Sequence, residues 1–228
     1  MLPLIIKSAN ISAKKMSYSI GIDGCKGGWI ATSINYNGEV KLDYVEKIGP
    51  YLSTQPKEAI ILVDMMLDLN NSTSIRPFEA CVKKLLGKWH SRCFMAPPKK
   101  ALETKDYKKA CEISFNICGK KISKQCYNLF PKIRELEALR DSRLIEFHPE
   151  IAFMLLNKNN VISESKKTIE GIAKRTALIK KVIPGFSSLI KQFASPKVKV
   201  DDLLDSTALA LVAGNSLYKN FIANLNKV

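Results

Sequence analysis

"YSIGIDGCKGGWIATSI", residues 18–34, decides how the rest of the chain is read. An alternating apolar run closes on Asp23. Gly24, Gly27 and Gly28 follow around Lys26, and a second apolar run starts at Trp29. Alternation with period two is strand patterning, because successive side chains point to opposite faces. The stretch therefore predicts two strands joined by a tight turn, with a carboxylate at the end of the first. Asn37-Gly38 is a hairpin signal, and "EVKLDYVEKI" (39–48) reads as a third strand, so residues 18–48 form a meander. "IILV" (60–63), a continuous apolar run ending on Asp64, has the pattern of a strand buried on both faces.

From about 75 to 141 the apolar period changes to that of helices. "RPFEACVKKLLG" (76–87) starts at Pro77 and stops at Gly87. "APPKKA" breaks the pattern, "TKDYKKACEISFNICGKK" (104–121) resumes it, and "SKQCYNLFPKIRELEALRD" (123–141) reads as helix interrupted at Pro131. "RLIEFHPE" (143–150) is a short strand that Pro149 ends. Helices are expected at 150–157, 166–183, 186–194 and 201–226, the last breaking at Gly214. The order is that of an α/β protein, with one core over 17–228 and a helical insertion at about 75–141.

The 228 residues are 46% hydrophobic and 25% charged, an ordinary globular balance. No apolar run reaches the roughly 18–20 residues of a membrane-spanning helix. Met1–Lys15 holds only the short "LPLII", which is a poor secretory leader. Residues 1–16 read as a flexible extension, Met16 as an alternative start, and the cytoplasm as the expected compartment. The six cysteines form no C-x-x-C pair and are expected to be small buried hydrophobes rather than zinc ligands. The net charge is +15, of which about +8 falls on residues 61–145. Such a field favours polyanions, nucleic acid first among them; solvated surface lysines are the alternative account.

Acids stand where elements end. Asp23 closes the first strand and Asp64 the fourth; Glu146 lies in the fifth strand, with His148 and Glu150 after it. Asp201, Asp202 and Asp205 open an apolar helix. Asp201 suits the N-cap, and Asp202 and Asp205, three apart, share a face. A carboxylate directly after a buried strand is costly unless it is paired or stands at a strand tip. Several converging carboxylates require cations, and hard divalent ions with oxygen ligands are the usual solution.

"GIDGCKGGW" (21–29), "ILVDMMLDL" (61–69), "ISKQCYNLFPKIRELEALR" (122–140), "IEFHPEIAF" (145–153), "SKKTIEGIAKR" (165–175) and "DDLLDSTALAL" (201–211) resemble the blocks of the domain-of-unknown-function family 429. That family is described as predicted nucleases of RNase H-like fold. The resemblance covers about residues 17–215. It implies a mixed five-stranded sheet flanked by helices and a Mg²⁺- or Mn²⁺-dependent phosphodiesterase acting on DNA or RNA. It implies that Asp23, Asp64, Asp202 and Asp205 hold metal. Glu146 or Glu150 completes the shell, and His148 shares a strand face with Glu146. Gly24 and Gly27 would admit a phosphate to backbone amides with Lys26 as counter-charge, although the loop reads equally as a tight hairpin. Lys124, Lys166 and Arg175 are further candidate phosphate contacts. The family's usual Asp-x-Pro-x-Gly-Leu stands here as Asp64-Met65-Met66-Leu67-Asp68-Leu69, with Met66 and Asp68 in place of Pro and Gly. A nucleic-acid-binding protein without catalysis is therefore the leading rival, and an actin-like phosphotransferase, which needs a duplicated core, is the other.

Overall fold

The computed structural model describes residues 4–5, 17–72 and 75–225. It divides into two compact units, one of residues 1–65 with 141–221 and one of residues 66–140 with 222–228. Most of the expected N-terminal extension lies outside the described residues.

The first unit is built on one mixed sheet. β1 (Leu4–Ile5), β2 (Ser19–Cys25), β3 (Gly28–Ile34), β4 (Glu39–Val45), β5 (Ile60–Val63) and β6 (Leu144–Glu146) lie in the order β1-β4-β3-β2-β5-β6. The meander is antiparallel, whereas β5 and β6 run parallel to β2. β1 is an edge strand beside β4, which makes six strands where the sequence predicted five. The β2–β3 turn is Lys26-Gly27, with Gly27 at φ +79°, a backbone region that favours glycine. At the β3–β4 turn Asn35 Oδ1 accepts from the amides of Asn37 and Glu39, both at 2.9 Å. The third strand stops at Val45, and Ile48–Ser53 is a short helix, α1, which the hydropathy pattern did not signal.

α5 (Pro149–Leu156), α6 (Ile169–Val182), α7 (Phe186–Phe193), α8 (Val200–Gly214) and α9 (Tyr218–Leu225) follow β6. α8 packs against β2, β3 and β5, and α5, α6 and α7 pack on α8. Nearly every residue of α8 is buried, as expected of a helix that is apolar all round. The approach to β2 is close: a Cβ on Gly21 would lie 2.0 Å from the carbonyl oxygen of Ser206. Thr32 Oγ1 ties β3 to α8 through Ser206 Oγ at 2.9 Å and Thr207 Oγ1 at 3.1 Å, satisfying three buried hydroxyls.

The second unit is helical. α2 (Pro77–Leu86) carries Pro77 in its first turn and stops at Gly87, as the sequence predicts. α3 (Tyr107–Cys118) is capped by Asp106, which accepts from the Lys109 amide at 2.7 Å. α4 (Lys124–Leu139) is capped by Ser123. Pro131 was expected to interrupt this last helix and does not. Proline inside a helix costs about 3 kcal/mol. Cys126, Phe130, Ile133 and Leu136 bury one face on both sides of it, and each large apolar side chain returns roughly 1.5–3 kcal/mol. Five cysteines are buried and Cys118 is half-buried.

Candidate metal centre

The register of the sheet brings the acids together. Ile22 of β2 stands opposite Val63 of β5, and Val63 opposite Glu146 of β6. Asp23, Asp64 and Glu146 therefore gather at the carboxyl ends of three adjacent parallel strands, where α/β sheets form their ligand crevices. α8, held close over β2 at Gly21, supplies Asp205 from its second turn. One carboxylate oxygen from each of Asp23, Asp64 and Asp205 lies within 4.8 Å of the other two. Three elements remote in sequence thus meet at one point.

Asp23 and Asp205 are buried, with 7% and 1% of their surface exposed. Burial, then the charges of Asp64 and Asp205, hold Asp23 well above the usual carboxylate range against the pull of Lys166. Burial also raises Asp205, although Lys166 opposes it. Asp64 is pushed up to about 7, chiefly by burial, with Lys166 lowering it and Asp205, Glu146 and Glu150 raising it. Two carboxylates at such separations repel by roughly 3–4 kcal/mol at an effective dielectric of 20. Asp23 Oδ1 accepts from the Gly24 amide at 2.7 Å. Lys166 Nζ donates to Asp205 Oδ2, and the other oxygen, Asp205 Oδ1, is buried with no hydrogen-bond partner. An all-oxygen donor set with one buried oxygen unsatisfied fits a hard divalent cation.

The remaining sequence-predicted residues divide. Glu146 is half-buried and close enough to raise Asp64. Asp202 stands outside the three-oxygen group, because its Oδ2 accepts from the Lys199 amide at 2.9 Å and closes the start of α8. The N-cap is Lys199 rather than the expected Asp201, which sits two residues further in, in the first turn, and pairs with Lys167. His148 is the N-cap of α5, and its Nδ1 accepts from the Glu150 amide at 3.2 Å.

One expectation is corrected outright. Arg175 cannot meet a substrate: it is 0% exposed, and its Nη2 donates to both oxygens of Glu150, at 2.7 and 2.9 Å. That pairing also turns Glu150 toward a structural role, although its charge still reaches Asp64 and Asp205. The glycine loop is a hairpin tip in which two amides are already engaged. The Gly24 amide is held by Asp23, and the Lys26 amide donates to the Lys197 carbonyl at 3.1 Å. The Lys26 side chain is exposed. Lys124 belongs to the second unit, where its ammonium lies 4.3 Å from the Tyr107 ring centre and 4.9 Å from that of Tyr127.

The sequence makes Lys166 a candidate phosphate contact; the structure places its ammonium on Asp205. No local pattern signals that pairing. The Glu150–Arg175 pair is likewise a product of the fold: Gly171, Arg175 and Ile179 are the buried positions of α6, every four residues along one face.

Among the described residues no helix is long and apolar enough to cross a membrane. No curated protein and no solved structure matches the chain. A family model described as "Protein of unknown function (DUF429)" matches residues 21–218, so the span that carries all three carboxylates lies inside the match and the chain belongs to that family.

Proposed function

We propose that this protein is a Mg²⁺- or Mn²⁺-dependent phosphodiesterase with an RNase H-like core, acting on nucleic acid. The observation that carries the reading is the convergence of Asp23, Asp64 and Asp205 at the ends of two parallel strands and on the helix packed across them. A meander continued by two parallel strands on the far side of β2 supports the fold assignment.

Asp23, Asp64 and Asp205 would hold the metal, with Glu146 beside Asp64. When bound, the ion supplies Lewis acidity to a phosphoryl oxygen and lowers the pKa of a water to make a nucleophile. The chain's own part is to fix the carboxylates on rigid elements and to exclude bulk water around them. The Asp23–Gly24 contact holds one carboxylate in orientation. Lys166 and Lys167 bring positive charge to the acids from the segment before α6, and the exposed Lys26 adds another cation at the hairpin tip. The net charge of +15 raises the local concentration of a polyanion.

Calorimetry with Mn²⁺ on the wild type and on an Asp23→Asn, Asp205→Asn double variant tests the reading. Micromolar binding that the variant loses, together with Mn²⁺-dependent cleavage of a DNA or RNA panel, is the expected result. Binding of nucleic acid without metal binding would favour the second reading, a non-catalytic nucleic-acid-binding protein. The Lys166–Asp205 ion pair is the observation on that side, because an ammonium already neutralises part of the centre. The phosphotransferase reading needs a second strand-rich half, and the described residues form one sheet.

A further inference from the structure

We propose that Lys166 is the resident cation of the three-carboxylate centre and that a divalent ion enters by displacing its ammonium; this rests on the metal reading above.

The lysine already occupies one oxygen of a carboxylate that the metal would also use. Lys166 Nζ is bound to Asp205 Oδ2, on the carboxylate whose other oxygen is buried and unpartnered. Its charge acts on Asp23 and Asp64 as well, so one ammonium serves all three acids. A divalent ion in that position brings one more positive charge than the ammonium and several more coordination directions than its three N–H donors.

The backbone beneath the lysine is anchored, so the exchange is a side-chain motion. Arg175 Nη1 holds the Glu164 carbonyl at 2.9 Å, and Thr168 Oγ1 holds the Ser165 carbonyl at 2.9 Å. α6 starts hard against this segment: a Cβ on Gly171 would lie 1.9 Å from the Ser165 carbonyl oxygen. The Lys166 side chain is 32% exposed while its partner Asp205 is 1% exposed, so the flexible stem has a way out to solvent that the carboxylate lacks. Lys167 supplies an internal comparison. It is paired to Asp201, outside the three-oxygen group, and its side chain is 61% exposed.

The test is Mn²⁺ calorimetry on the full chain as wild type, Lys166→Met and Lys167→Met. Binding at least tenfold tighter in Lys166→Met, with Lys167→Met within twofold of wild type, is the expected result. Equal or weaker binding in a folded Lys166→Met variant, beside a wild type that binds, overturns the displacement and leaves the metal reading standing. Absence of binding in both overturns the two together. A second measurement needs no neutral variant: lysine ¹⁵Nζ–¹³Cε NMR of the wild type during Mg²⁺ titration, with Lys166 assigned through Lys166→Arg. Movement of that signal to the position of a solvated lysine at saturation supports the exchange, and a signal unmoved at saturating Mg²⁺ overturns it.

Discussion

Nη2 of Arg175 donates to both carboxylate oxygens of Glu150, and the guanidinium, 0% exposed, lies 5.3 Å from the centre of the Phe153 ring. This pair joins α6 to the start of α5, the helix that follows β6 and its Glu146. Removing one member of a buried pair leaves an uncompensated charge, which costs about 3–5 kcal/mol. Arg175→Met should therefore lower the urea-unfolding free energy by that amount. The Glu150→Gln, Arg175→Met double variant should recover part of the loss, because no naked carboxylate remains. If Arg175 instead met a substrate, the single variant would bind nucleic acid less tightly while unfolding at the wild-type urea concentration.

Stability of the metal-free protein should rise as pH falls from about 8 toward 5. Asp23, Asp64 and Asp205 are all held above their ordinary values, chiefly by burial, with Asp64 at about 7. A carboxyl whose folded pKa is raised destabilises the fold wherever both states are ionised, and that cost disappears as pH falls through the folded value toward the unfolded one. Asp141 and Glu164 act in the opposite sense. Arg143 and Lys174, respectively, hold them below their ordinary values, so their contribution is present above the unfolded pKa and is lost only as pH falls below about 4. The two windows are separate. Thermal melts in EDTA should show the rise, Asp23→Asn should flatten it, and Mn²⁺ should reverse it, because metal binds the ionised carboxylates.

The departure from the family's Asp-x-Pro-x-Gly-Leu block has a backbone signature. Asp68 stands where that pattern has glycine, and its φ is +50°. The chain makes a left-handed turn here without glycine, the residue that adopts it most readily; aspartate tolerates the region better than most. Asp68→Gly should raise stability by up to about 1 kcal/mol, and Asp68→Val should lower it by about 1–2 kcal/mol. Urea titration of the two variants checks the sign. Equal stabilities of the two variants would mean that residue 68 does not hold a left-handed backbone in solution.

How much of this was legible beforehand depends on the range of each signal. The meander could be read because period-two alternation and Asn37-Gly38 are local. Asp23 and Asp64 could be singled out because a carboxylate after an apolar strand is costly in any fold. α1 escaped because six residues with Pro50 among them carry no helical period. Pro131 misled because burial across α4 outweighs a local penalty. The identity of each charge's partner was out of reach: Lys166 and Asp205 are 39 residues apart, and Glu150 and Arg175 are 25 apart. Nor could the sequence choose between Asp202 and Asp205. Both lie on one helical face, and only the hydrogen bond from the Lys199 amide turns Asp202 to the helix start.

Trp89 offers a direct optical test of nucleic-acid binding that is independent of metal. The chain has two tryptophans, and Trp29 is 0% exposed. Trp89 is half-buried, in a 3₁₀ turn where Lys88 Nζ lies 4.6 Å from the ring centre and the Arg92 guanidinium 5.7 Å from it. An aromatic ring beside two cations is a combination that lets a base stack while phosphates are neutralised. In EDTA, an unlabelled oligo(dT) or oligo(U) should quench the fluorescence of Trp89 and leave that of Trp29 unchanged, so Trp89→Phe should abolish the response. Contact with about four phosphates would weaken binding roughly 50-fold between 50 and 200 mM salt. Quenching that ignores salt would point to an apolar ligand at this turn. Salt-dependent binding, measured by anisotropy of a labelled strand, without any quenching would leave nucleic acid as the partner and remove Trp89 from its surface.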